Sequence, residues 1–304
     1  MQVSSQLLTI RDYIRWGTSL FSQAKLFYGH GTNNALDEAA FLVLNALHLA
    51  PDFPDSYLDT RLADNEKKAV VDLLQKRVET RQPAPYLTHE SWFMGIPFYV
   101  DERVLIPRSP IAELIENNFE PWIDPDSVGR ILDMCTGSGC IAIACAETFP
   151  MAEVDAAELS EDALAVAQIN VERFLLTEQV RLLQSDLFEN LKAERYDVIV
   201  SNPPYVDEQD MADLPDEYVH EPELALAAGI DGLDIVRRML AEASEHLNPG
   251  GIIIIEVGNS ALALELTYPE VDFTWLEFER GGDGIFLLNY DQLMTHHELF
   301  QARI

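Results

Sequence analysis

From Arg130 onward the chain alternates short apolar runs with amphipathic ones, and that period limits the possible folds more than any other feature. Residues 131–134 (ILDM) have the length and apolarity of a buried strand. Cys135-Thr136-Gly137-Ser138-Gly139 follows, then a helix expected over 140–147 and stopped by Pro150. A second strand covers 154–158, with Glu158 at its carboxyl end. Ser160, Glu161 and Asp162 form a helix start, and that helix runs to about Phe174. The third strand, 180–184, ends at Ser185-Asp186, and the fourth covers 196–201 (YDVIVS). A long acidic loop over 207–231 precedes a helix over 233–247, whose end Pro249-Gly250-Gly251 marks. Residues 252–255 (IIII) with Val257 give a very hydrophobic central strand. Residues 273–279, a glycine-rich turn at 281–284 and residues 285–288 form an antiparallel hairpin. Strand-helix alternation implies an α/β fold with a mostly parallel sheet wrapped by helices.

The N-terminal part has a different period. Leu7, Ile10, Ile14 and Phe21 share a helical face; a second helix is expected over 35–49 behind an Asn34 cap, and a third over 64–79. His30 and His48 stand alone there and read as structural histidines rather than ligands. The expected domains are a helical domain over 1–82 for recognition or support, a linker and β-hairpin over 83–108, and an α/β domain over 109–304. Pro83 and Pro85 are expected to stop any helix at the linker, and 91–105 is expected to form the hairpin. Ser109 is a helix cap before Pro110, with the helix over 111–119.

Length and charge narrow the function classes. A chain of 304 residues can bury a sizeable core in two domains. No run reaches the ~18–20 apolar residues of a membrane span, and the first 17 residues lack the pattern of a secretory signal. Cys135, Cys140 and Cys145 are spaced five apart, which fits neither zinc nor a disulfide framework, so no metal is expected and the thiols point to a reducing cytoplasm. The formal net charge is −32, and it is uneven. Residues 1–90 hold nine Lys and Arg against 11 Asp and Glu, whereas 91–304 hold 11 against 41. Such a field repels a phosphate backbone and attracts a basic partner.

The chemistry gathers at the strand ends. Asn202-Pro203-Pro204-Tyr205 follows the fourth strand, where ligands bind in open α/β sheets. Two prolines rigidify the turn and leave the carbonyls of Asn202 and Pro203 free to accept, as can the Asn202 side chain. Tyr205 adds an aromatic wall. Such a rigid set of acceptors suits an NH2 group with two hydrogens to donate. Upstream, Gly137 and Gly139 let the backbone approach a ligand closely at a helix N-terminus. Asp133, Glu158 and Asp186 end successive strands; Glu158 is placed to accept from ribose hydroxyls and Asp186 to lie near an adenine amino group. A dehydrogenase reading leaves Asn202-Pro203-Pro204-Tyr205 without a task.

This combination resembles the class I S-adenosylmethionine methyltransferases that act on planar NH2 groups. Over its whole length the chain is similar to the protein-glutamine N5-methyltransferases, through Asp133-Met134-Cys135-Thr136-Gly137-Ser138-Gly139-Cys140, through His220-Glu221-Pro222 and through Gly229-Ile230-Asp231-Gly232-Leu233. The resemblance implies a Rossmann-like, mostly parallel seven-stranded sheet with an antiparallel C-terminal hairpin. It also implies S-adenosyl-L-methionine as cofactor, held by Asp133, Cys135, Thr136, Gly137, Ser138, Gly139, Glu158, Asp186, Leu187 and Asn202. Catalysis then rests on Asn202, Pro203, Pro204 and Tyr205. Pro107-Arg108-Ser109-Pro110 and Glu279-Arg280-Gly281-Gly282-Asp283-Gly284 resemble the branch acting on large-subunit ribosomal protein L-three rather than the release-factor branch. Two residues depart from the family's pattern: Glu158 where Asp is more usual, and Leu187 where release-factor enzymes often carry Trp. The implied partner is that basic ribosomal protein, with neither membrane nor direct nucleic-acid binding. The alternatives are the glutamine methyltransferase of peptide-chain release factors and, less favoured, a nucleic-acid amino-methyltransferase or an inactive cofactor-binding module.

Overall fold

The structure, a computed structural model, describes residues 6–191 and 193–304. The reading of the first 17 residues therefore falls partly on residues 1–5, outside the described ones. The chain divides into two units, Met1–Ser91 with Pro215–His220, and Trp92–Leu214 with Glu221–Ile304. The first boundary thus falls at 91/92 rather than 82/83, because the segment after the third helix packs with the helices. The acidic loop, moreover, supplies six residues to the first unit.

In the first unit, α1 (Ile10–Ala24), α2 (Ala35–Ala46) and α3 (Asp64–Thr80) pack through Tyr13, Phe21, Leu42, Val43, Val70 and Leu74, none of them exposed. Thr9 and Asp12 cap α1 reciprocally. Asn34 Oδ1 accepts from Leu36 N and Asp37 N, both at 3.0 Å, so the expected cap forms. α2 ends three residues early, at Ala46, where the chain turns and His48 takes a left-handed φ of 56°. The prolines of the linker do not stop a helix but start one. Pro83 is the N-cap of the short α4 (Ala84–Thr88), and Pro85 lies in its first turn, where a missing N–H costs nothing.

In the second unit, β1 (Ser91–Phe93) and β2 (Ile96–Phe98) make a two-stranded sheet, shorter than expected. Beyond Phe98 the backbone turns to Asn170 instead, which accepts from Tyr99 N at 2.8 Å and donates to Tyr99 O at 3.0 Å. Then come α5 (Ile111–Glu116), β3 (Arg130–Met134), α6 (Cys140–Thr148), β4 (Glu153–Glu158), α7 (Glu161–Arg173), β5 (Val180–Gln184) and β6 (Tyr196–Ser201). After them follow α8 (Glu208–Asp213), α9 (Asp234–His246), β7 (Leu247–Glu256), α10 (Ala261–Thr267), β8 (Thr274–Trp275), β9 (Ile285–Asn289) and α11 (Tyr290–Ala302). The helix α8 lies inside the stretch expected as loop, capped by Asp207, which accepts from Asp210 N at 2.7 Å.

The seven-stranded sheet has the order β5-β4-β3-β6-β7-β9-β8. β5 through β7 pair in parallel, and β9 pairs antiparallel to both β7 and β8. The run Ile252 to Ile255 shows why the centre is so apolar. Ile252 and Ile254 join one core cluster with Ile131, Val198 and Ile141, and Ile253 and Ile255 join the other with Leu132, Ile199 and Leu240. A strand buried on both faces has no polar side to alternate with. Each such side chain contributes about 1.5–3 kcal/mol relative to an exposed one. β8 keeps two residues of the seven expected, because an edge strand stays extended only where β9 pairs with it. Pro249-Gly250-Gly251 lies within β7, and the pairing register with β6 shifts there.

Candidate active site

The carboxyl ends of β3, β4, β5 and β6 surround a cavity of about 200 Å³. Nine of the residues singled out in the sequence line it: Cys135, Thr136, Gly137, Ser138, Glu158, Asp186, Leu187, Asn202 and Pro204. Asp133, Gly139, Pro203 and Tyr205 do not. Two lining residues, Cys135 (φ 62°) and Leu187 (φ 50°), hold left-handed backbone without being glycine. Such conformations cost on the order of 1–3 kcal/mol and persist where the surroundings enforce them.

The loop after β3 is built around Asp133. Its Oδ2 accepts from Thr136 Oγ1 at 2.5 Å and from Ala142 N at 3.0 Å, so it closes the loop and satisfies a first-turn N–H of α6. Its Oδ1 has no hydrogen-bond partner among the described residues. Burial pushes this carboxyl up to about 7, against the pull of those two donors, with the Glu158 charge adding to the rise. The folded state thus holds the proton more tightly than the unfolded chain. The contribution to stability is complete below the ordinary value of 3.8 and is lost as pH rises through 7. Asp133→Asn is therefore expected to flatten the fall in unfolding free energy between those two pH values, measured by denaturant titration of both proteins. An unchanged slope counts against the buried proton.

Gly137 forms a cradle. It has φ 55°, lines the cavity, and a Cβ placed on it would meet nothing within 4 Å, so a ligand can reach its backbone. Glu158 is aimed by that loop, its Oε2 accepting from Gly137 N and its Oε1 from Ser160 N, both at 3.0 Å. Asn170 donates to Ser138 O at 2.8 Å and so fixes the same loop from α7. Asp186 pairs with Arg238 of α9 at 2.8 Å, both in the cavity wall. Burial pushes the thiols of Cys135, Cys140 and Cys145 up, that of Cys140 to about 12, which leaves them poor nucleophiles.

The turn after β6 is anchored at both ends. Ser201 Oγ donates to Met134 O at 2.6 Å, tying β6 to the start of the glycine loop. Beyond it, Tyr205 Oη donates to Glu256 at 2.9 Å and Ser260 Oγ donates to Tyr205 O at 2.9 Å. Val206 then bridges Ala227, with Val206 N donating to Leu226 O at 2.8 Å. Pro107, Arg108 and Ser109 also line the cavity, and Arg108 makes a bidentate pair with Glu221 at 2.5 and 2.7 Å. Sequence reasoning used Arg108 only as a marker of a branch, and Ser109 as that marker and as a helix cap. It missed Arg238 altogether, since a single arginine in an amphipathic helix carries no signal.

The fold is that of the class I methyltransferases. The Methyltransferase small domain model matches residues 116–230. The hMettl16 catalytic domain, solved in complex with MAT2A 3′UTR hairpin 1, shares the fold with a TM-score of 0.50 at 18% identity, over 82% of this chain and 91% of that one. More informative are two relatives named ribosomal protein uL3 glutamine methyltransferase. The one from Francisella tularensis is 48% identical over 98% of this chain and 96% of its own length. The one from Neisseria meningitidis is 51% identical over 96% and 97%. The chain belongs to the family of ribosomal protein uL3 glutamine methyltransferases.

Proposed function

We propose that this enzyme transfers a methyl group from S-adenosyl-L-methionine to the side-chain amide nitrogen, N5, of a glutamine in large-subunit ribosomal protein uL3. The observation that carries the reading is the near-full-length match to relatives bearing that name. The cavity suits the cofactor through the open cradle at Gly137 and the carboxylates of Glu158 and Asp186 in its wall, which would accept from ribose hydroxyls and an adenine amino group. When bound, the cofactor supplies an electrophilic methyl on a sulfonium.

The remaining work falls to this chain's own groups. An amide nitrogen is a poor nucleophile because its lone pair is delocalised into the carbonyl. The Asn202 side-chain carbonyl and the Pro203 backbone carbonyl take both N–H hydrogens, orient the nitrogen and favour its pyramidalisation. The reaction is accelerated by positioning and preorganised dipoles, in a site that keeps its acceptors rigid through two prolines. No strong general base is required early, since the nitrogen's proton becomes acidic only as the methyl arrives and then passes to solvent water. Tyr205 packs against the planar amide. The excess of acids after residue 90 fits a basic protein substrate in the cytoplasm. Among the described residues no helix is long and apolar enough to cross a membrane.

The test offers uL3 and a peptide-chain release factor separately with labelled S-adenosylmethionine and locates the label by mass spectrometry. Label on a glutamine of uL3 alone is expected. Label on the release factor alone overturns the substrate, and label on neither overturns the activity.

A further inference from the structure

Glu256 ends β7 and is 6% exposed. Its two oxygens face two different hydroxyls. Oε1 accepts from Tyr205 Oη at 2.9 Å and Oε2 from Ser109 Oγ at 2.6 Å. Burial raises this carboxyl, while the two hydroxyls and the charge of Arg108 oppose the rise. The donors come from separate parts of the site: Ser109 lies in the cavity wall beside Arg108, and Tyr205 closes the turn whose Asn202 and Pro204 lie in that wall. Tyr205 Oη donates to Glu256 Oε1, so the phenol proton points at that carboxyl and away from any substrate.

The rest of the surroundings leave the Tyr205 ring little freedom. Gly258 lies against it: a Cβ there would come within 2.6 Å of Tyr205 Cε2. Gly258 is in turn pressed by Gly284, whose own Cβ would fall 2.2 Å from Gly258 O, and the N–H groups of Val257 and Gly258 donate to Gly284 O at 2.7 and 3.1 Å. One face of the ring is thus fixed by backbone, its carbonyl by Ser260, and its far end by Glu256.

We propose that Glu256 is a positioning residue for methyl transfer, holding the Tyr205 ring and the Ser109 wall segment at a fixed spacing so that the target amide is gripped in one orientation. The inference rests on the function proposed above, and it makes Tyr205 a wall held from behind rather than a proton donor. A displacement of about 1 Å in such a slot can cost up to 10²-fold in rate.

The test is a double-mutant cycle on the full chain with Glu256→Gln, Tyr205→Phe and the pair. It reads single-turnover methyl transfer to uL3 and, separately, S-adenosylhomocysteine affinity by calorimetry. Each single change is expected to slow transfer by about 10- to 100-fold, and the pair to be no slower than the slower single, because both weaken the same contact: glutamine removes the charge and one of two acceptor oxygens, and phenylalanine removes the donor. S-adenosylhomocysteine affinity is expected to stay within about twofold throughout, since neither residue lies in the glycine loop or at the β4 and β5 ends. Ser109→Ala, which leaves the carboxylate in place, repeats the measurement should Glu256→Gln fail to fold; a smaller slowing, about 3- to 10-fold, is expected. Effects that multiply, a wild-type rate in the variants, or a parallel loss of cofactor affinity overturn the positioning role while leaving the function standing. A wild-type chain that places no label on uL3 overturns both.

Discussion

Replacing Asn202 with alanine is expected to lower the rate of methyl transfer by about 10²–10³-fold, the scale seen when one preorganised group is removed from a reacting centre. Asn202 lies in the cavity wall at the end of β6, and the strand cannot shift to compensate because Ser201 is tied to Met134 O at 2.6 Å. Alanine keeps the backbone carbonyl but deletes the side-chain acceptor. One N–H of the substrate amide then loses its partner, and the nitrogen keeps its planar conjugation. The loss should therefore appear in the chemical step, measured under single turnover, with a much smaller change in S-adenosylhomocysteine affinity. A variant that transfers methyl at the wild-type rate removes the acceptor mechanism.

The largest expected effect on stability lies in the helical unit, at Arg77. This side chain is fully buried; its Nε donates to Glu38 Oε1 at 2.7 Å, and its Nη1 is 3.7 Å from Glu217 Oε1, a carboxylate equally buried. It also donates to the carbonyls of Arg81 and Phe27 at 3.0 and 3.2 Å. Arg77→Met fills a similar volume but leaves Glu38 buried without its cation, while Glu217 keeps Arg81 at 2.8 Å, and removal of one partner from a buried pair costs about 3–5 kcal/mol. By contrast, Lys68 and Asp72 form an equally short pair on the surface with 78% and 56% of their side chains exposed. Lys68→Ala is expected to change stability by no more than ~0.5 kcal/mol, since water already solvates both charges. Hydrogen exchange of the α1–α3 amides reports on this unit alone and separates the two variants. Equal protection in both would sink the assignment.

What could be read from the sequence was local. Strand ends, the Asn34 and Ser160 caps and the position of Asn202-Pro203-Pro204-Tyr205 follow from neighbouring residues, and the structure forms them. Direction was not legible. Asp133, Glu158 and Asp186 all end strands, yet Asp133 turns inward to Thr136 and the α6 backbone, Glu158 is held by two backbone N–H groups in the wall, and Asp186 meets Arg238. Nothing in a strand-end pattern tells these three outcomes apart. Long-range pairing was equally hidden: Arg108 with Glu221 and Ser109 with Glu256 join residues more than a hundred positions apart. The helices α10 and α11 were not expected: α10 spans only seven residues, and α11 follows β9 directly, with no glycine or proline to separate them.

The helical unit takes Pro215–His220 from late in the chain, and this has a consequence for synthesis. A ribosome delivers the N-terminal residues first. When α3 emerges, Arg77 finds Glu38 but not Glu217, because residues 92–214 have yet to be made. The first unit to leave the exit tunnel is therefore the one that must wait, and its last counter-charge arrives only after β3 through β6 have been translated. A fragment cut at residue 91 is, on this account, not a domain but an unfinished one.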